Sequence, residues 1–505
     1  MLQSGRVPSL ALTGMAHATA TASDDVYGLY YVHTMKLPQI IQGGMGIAIS
    51  SWQLANNVAS RGQLGVVSST AIDIVMVRVL QLGDKGGHTR RALAAFPDQE
   101  VAQSILDKYF IEGGKEEDAS YKNKPMVGHK PSKSLFQLLI ASNFVEVFLA
   151  KEGHDGIVGI NFLHKIQTPI LAGLYGAMLA GVDVAIVGAG IPLEIPKVID
   201  GLCNCEPVDF SVHVYGATKG ANHRLAFDPR GVLSEDFIPP KRPLFFPIVS
   251  SVTLSNLMVK KCPGKIDAII IEEPPAGGHN APPRGKATYN EIGEPVYGSR
   301  DEVDYAKIKA IGVPFYIAGA YASPEKLAQA KALGATGVQL GTIFAFTDES
   351  GLRADIKRDT ILKGQTQFPE VYKDPVASPT GFPFHVLAVP GTLSEKKVYE
   401  DRCRVCDLGY LREAYELPNG EMAWRCRSEP TDTYIKKGGT LEDTEGRKCL
   451  CNSLMANINM GQVRKDYGLE LPLVTSGTEL APILKLTSPE KPSYTASEVL
   501  DYMLG

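Results

Sequence analysis

The chain has 505 residues, 44% apolar and 21% charged, which is more than one ordinary domain needs and ample for a large core. A formal net charge of −4 gives no electrostatic case for nucleic acid or an anionic membrane as partner. No apolar run approaches the roughly 20 residues of a spanning helix, and eight cysteines in so long a chain do not read as a secreted disulfide framework. A cytoplasmic protein is expected. Met1 to Ser23 is rich in Ser, Thr and Ala, with Arg6 its single Lys or Arg and no acidic residue. Residues 1–34 therefore read as a disordered extension rather than a targeting leader.

In chain order, Pro38 to Gln42 is the first apolar strand and runs into Gly43-Gly44-Met45-Gly46. Ser51 is placed to cap a helix from Trp52 to Ser60, and Leu64 to Ser68 is the second strand. Residues 73–150, with the amphipathic Leu135 to Lys151, read as an inserted helical region. Gly156 to Asn161 and Val182 to Val187 are the third and fourth strands. Residues 209–230, alternating in Phe210-Ser211-Val212-His213-Val214, predict an extra hairpin. Leu244 to Val249, Asp267 to Ile271, Pro314 to Ala318 and Gly337 to Leu340 complete a set of eight. Ser323-Pro324-Glu325 opens a helix with a cap, a first-position proline and an acidic first turn. Apolar, β-branched strands alternating with helices predict an α/β fold, a (β/α)₈ TIM barrel over residues 35–394. A Cys-containing, partly helical extension over 395–505 is expected to pack on it.

In such a barrel the chemistry sits at the carboxyl ends of the strands. The sixth strand ends in Glu272-Glu273-Pro274-Pro275-Ala276-Gly277-Gly278-His279. The glycines let a ligand approach the backbone, and the imidazole exchanges protons near neutral pH, so His279 is the candidate catalytic residue. Gly319-Ala320 and Gly341-Thr342, after strands seven and eight, suit an anion such as phosphate through exposed amides. His88 and His154 copy parts of the Gly-Gly-His motif away from the sixth strand, and structural roles are expected for both. Lys165 stands four residues beyond Asn161, either solvated or balancing ligand charge. Cys403, Cys406, Cys426, Cys449 and Cys451 supply thiolates for zinc or an iron–sulfur cluster, but their gaps fit no standard finger. Packing of a small subdomain is the simpler expectation, and the metal question stays open. Gly188-Ala189-Gly190 lacks the third glycine of a dinucleotide fingerprint.

These motifs resemble the nitronate monooxygenase family, including its flavin-dependent enoyl reductase relatives. The matching elements are Ile-Ile-Gln-Gly-Gly-Met-Gly at 40–46, Gly-Ile-Asn at 159–161, Ala-Gly-Gly-His at 276–279, Ile-Ala-Gly-Ala at 317–320 and Gln-Leu-Gly-Thr at 339–342. Gly-His-Asp-Gly at 153–156, Gly-Ala-Gly-Ile-Pro at 188–192 and Lys-Cys-Leu-Cys-Asn at 448–452 are similar to a longer subgroup near polyunsaturated-fatty-acid and polyketide enoyl reductases. The resemblance implies FMN inside the barrel, held by Gly44, Met45, Gly46, Asn161, Gly277 and Gly278. Its phosphate is then expected at Gly319, Ala320, Gly341 and Thr342, with Gln339 alongside. The activity it implies first is oxidation of alkyl nitronates with O₂ to carbonyl compound and nitrite. NAD(P)H-dependent reduction of an enoyl thioester is the alternative, and a flavin-binding assembly partner a third. A homodimer is also consistent with the resemblance. The chain departs from the family at Glu272, where Gln is common, and at Ala320, where a second Gly is usual.

Overall fold

The computed structural model describes residues 36–234 and 239–505, so the extension expected over residues 1–34 lies outside the described residues. The chain divides into Met1–Leu37 and Pro38–Gly505, and every element below belongs to the second unit. Eight short parallel strands form its centre: β1 (Ile40–Gln42), β2 (Gly65–Ser68), β3 (Val158–Leu163), β4 (Val184–Gly188), β5 (Leu244–Val249), β6 (Ile269–Glu272), β7 (Phe315–Ala318) and β8 (Gly337–Leu340). They pair in the order β1-β8-β7-β6-β5-β4-β3-β2. The ring closes where Ile41 bridges Leu64 in parallel, with Gln42 N donating to Leu64 O at 2.9 Å. Helices follow the strands in alternation, as a TIM barrel requires.

Local chemistry accounts for the elements. In β6, Ile269, Ile270 and Ile271 are at most 1% exposed, and each buried isoleucine contributes about 1.5–3 kcal/mol. Both predicted caps form: Ser51 Oγ accepts from Leu54 N, and Ser323 Oγ from Lys326 N. Between β2 and β3 run the helices Ile72–Gln81, His88–Ala94, Gln99–Tyr109 and Lys133–Lys151. Val208–Ser211 and Arg224–Phe227 pair as an antiparallel hairpin before β5.

One sequence expectation is corrected. Lys133–Lys151 is 19 residues and apolar enough to match a membrane span in length and composition, although no such run was anticipated. Most of it is buried against Trp52–Ser60 and Ile170–Leu179, which explains an apolar character extending round the helix.

Candidate active site

The carboxyl ends of the strands open into a cavity of about 250 Å³. The loop after β1 reaches it through a buried network. Ser50 Oγ donates to Gly43 O (2.9 Å) and accepts from Met45 N (2.9 Å), while Gln42 Nε2 donates to Ser50 Oγ (2.7 Å). These bonds hold Gly44 so tightly against β3 that a Cβ there would lie 2.1 Å from Cβ of Asn161. The loop after β6 is fixed as firmly. Gly278 N donates to Thr475 Oγ1 (3.0 Å), Asn280 Nδ2 donates to Ala276 O (3.0 Å), and His385 Nδ1 lies 2.6 Å from the same carbonyl.

His279 lines the cavity. Its Nε2 lies 2.6 Å from Oγ of the fully buried Ser378, and its ring meets the Phe384 ring edge-on at 4.9 Å. Burial, reinforced by the Lys165 ammonium, holds the imidazole well below its usual range. A neutral ring with Nδ1 unpartnered among the described residues can accept a proton from a ligand, or donate one, depending on tautomer.

The residues expected to hold the cofactor and the candidate catalytic histidine face this one space. Gly44, Met45, Gly46, Asn161, Gly277, Gly278, His279, Gly319, Ala320, Gln339, Gly341 and Thr342 all line it. The N–H groups of Gly319 and Ala320 make no hydrogen bond among the described residues. Ala320 holds a left-handed φ of 60°, which explains why glycine is usual there and places about 1 kcal/mol or more of backbone strain on the rim.

His88 and His154 stand apart from the cavity. His88 packs on Trp52 with ring centroids 5.0 Å apart, and His154 Nδ1 accepts from Gly156 N at 3.0 Å. Gly188 and Ala189 do line the wall, in a role unrelated to a dinucleotide turn. All eight cysteines are free thiols, and among the described residues no group of three His, Cys, Asp or Glu is arranged to hold a metal. The hydrogen bond with the neighbouring Cys426, aided by burial, pushes the Cys406 thiol up, while Cys426 is held down to about 7 by the same pairing.

Sequence reasoning missed the roof. Tyr410, Leu411, Leu450, Cys451, Leu454 and Thr475 to Gly477 all come from beyond residue 400 and close the cavity. Gly277 marks the crossing, because a Cβ there would lie 2.7 Å from Gly477 N. Ser378 was missed for the same reason: no local pattern identifies the partner of a distant histidine.

Residues 242–369 match the family model described as nitronate monooxygenase, which bears out the resemblance read from the motifs. No curated protein matches the chain. Among solved structures, FabK from Thermotoga maritima is 17% identical, covering 94% of each chain with a TM-score of 0.45. A nitroalkane oxidase from Streptomyces ansochromogenes is 14% identical over 94% of this chain and 96% of its own, TM-score 0.46. The enoyl reductase domain of MlnA from Bacillus amyloliquefaciens is 13% identical over 75% and 68%, TM-score 0.37.

Proposed function

Proceeding from an oxidoreductase that carries a nitronate monooxygenase domain, we propose that the chain is an FMN-dependent enzyme whose reacting centre is the cavity beside His279. The residues present suit that cofactor. Gln339 Oε1 is buried without a partner, and a Cβ at Gly278 would meet open space. Gly44, Met45, Gly46, Asn161, Gly277 and Gly278 are assigned to the ring, and Gly319, Ala320, Gly341 and Thr342 to the phosphate, with Gln339 alongside, where its Oε1 would accept from a hydroxyl or N–H of the cofactor. When bound, FMN supplies the electron and hydride transfer that side chains cannot perform. The protein's part is to orient the substrate, exclude water and move protons.

One observation ranks the substrates. No Lys or Arg lines the cavity among the described residues, whereas the acidic residues Glu272 and Glu479 both do. An alkyl nitronate is an anion, and beyond the backbone amides assigned to the phosphate this wall offers it no cationic side chain. An enoyl thioester is uncharged, and its acyl chain matches Ile47, Ile49, Phe162, Ile248, Leu411 and Leu454. NAD(P)H-dependent reduction of an enoyl thioester is therefore the reading this wall supports best. His279 then holds the thioester carbonyl or moves a proton to it. Nitronate oxidation with O₂ is the second reading. The family match supports it, and a neutral His279 can take the proton beside nitrogen from an uncharged nitroalkane.

Anaerobic mixing of the purified protein with NADPH, NADH and propyl nitronate tests both. Bleaching by NADPH or NADH, followed by reoxidation with crotonyl thioester, is the expected result. Bleaching by propyl nitronate alone, with nitrite released in air, overturns the reductase reading in favour of the second. A purified protein without flavin absorbance rejects both.

A further inference from the structure

Glu272 ends β6 and belongs to two spaces at once. It lines the main cavity and also a second one of about 20 Å³, bounded by Ser250, Asn280, Arg284, Tyr297 and Asp301. It is the one residue that the two linings share. The smaller space has room for about one water molecule, and its outer wall includes the exposed Arg284. The carboxyl group makes no hydrogen bond among the described residues, although it acts on charged groups on both sides. Lys165, beyond β3, interacts with both Glu272 and His279, and its Nζ rests 2.9 Å from the centre of the Phe382 ring. Lys373 lies toward the smaller space, its Nζ donating to Pro274 O at 2.9 Å and standing 4.0 Å over the Tyr297 ring.

We propose that Glu272 is the proton-exchange residue of this site, passing protons between water in the smaller cavity and the substrate in the main one. The proposal rests on the redox reading above and adds what that reading leaves unassigned: the source of the proton. Reduction of an enoyl thioester takes a hydride at the β-carbon, for which NAD(P)H is the overall donor, and a proton at the α-carbon. The carbon–carbon π bond breaks and two C–H bonds form. Glu272 gives up the proton, becomes a carboxylate between Lys165 and Lys373, and regains a proton from the water beside Tyr297. One solvent proton is consumed per NAD(P)H oxidised, which balances the reaction. Burial pushes this carboxyl up to about 7, opposed by Lys165 and Lys373, so both forms are populated near neutral pH.

Two measurements on the full-length protein test this, one independent of flavin. In an infrared pH titration of the protein as purified, a protonated-carboxyl band that titrates near neutral pH should vanish in Glu272→Gln. Lys373→Met should move its midpoint upward, which keeps the test open if the glutamine variant fails to fold. With NADPH and crotonyl thioester, Glu272→Gln should lower kcat by roughly 10²-fold, within the usual range for acid–base groups, and leave KM nearly unchanged. It should also abolish the fall of kcat as pH rises through neutrality, and Glu272→Asp should restore that limb. A band that persists in Glu272→Gln and ignores Lys373→Met overturns the proposal, as does a wild-type pH profile in the glutamine variant. Absence of flavin from the wild-type protein sinks the redox reading instead, while the infrared result still decides whether Glu272 exchanges protons.

Discussion

Among the described residues, two lysine–carboxylate pairs near the cavity are built in opposite ways. Lys124 and Asp73 are in contact, Nζ to Oδ2 at 2.7 Å, with side chains only 1% and 2% exposed. The Tyr410 hydroxyl donates to the other Asp73 oxygen, and Asp73 sits in the first turn of Ile72–Gln81, where the helix dipole favours a carboxylate. Lys165 and Glu272 feel each other's charge but share no ion-pair contact or hydrogen bond. The result is that burial pulls both toward neutrality, Glu272 up to about 7 and Lys165 down to about 7. Direct contact makes the first pair a structural one. Separation leaves each group poorly solvated and able to exchange protons at physiological pH. Tyr410, which lines the cavity, ties the structural pair to the roof of the site.

The strongest test of this contrast lies at His279. His279→Ala should retain flavin and lower turnover by roughly 10²–10⁴-fold in steady-state assays. Unchanged turnover would remove the reacting centre from the Lys165 side of the barrel. Next in size is Asp73→Ala, which leaves Lys124 buried and uncompensated. Denaturant melts should show a loss of about 3–5 kcal/mol. A loss under about 1 kcal/mol would mean that this pair is not the structural one.

Glu272→Gln should alter the pH dependence of stability. The Glu272 carboxyl rises from 4.5 to about 7 on folding, so the folded protein keeps a proton that the unfolded chain releases. Its contribution is full below the unfolded value and is lost as pH rises through about 7. Between roughly pH 5 and pH 8 the wild type should lose on the order of 1–3 kcal/mol that the glutamine variant does not. Equal slopes in the two proteins would mean that Glu272 is an ordinary solvated carboxylate. The smallest effect is expected from Ser378→Ala. Losing the hydrogen bond to His279 Nε2 should cost about 0.5–1.5 kcal/mol of transition-state stabilisation, read as a several-fold fall in kcat/KM with flavin retained. A fall as large as that of His279→Ala would make the hydroxyl part of the chemistry rather than a support.

What lay in the sequence was whatever depends on neighbours along the chain. Eight β-branched strands, the Ser51 and Ser323 caps and the Gly-Gly-His loop are local patterns, and barrel closure then forces the strand ends to converge. That is why residues as far apart as Gly44 and Thr342 are assignable to one mouth from local patterns alone. The roof over that mouth, the Ser378 support of His279 and the two cavities meeting at Glu272 left no such trace. Each depends on segments that are not neighbours along the chain, such as Ser476-Gly477 crossing Gly277, and burial and charge at a position are set by whatever packs there. Glu272 shows the division most clearly. The sequence marked it as a departure from the family's glutamine, but only tertiary packing decided that its carboxyl would feel the charges of Lys165 and Lys373 without an ion-pair contact to either.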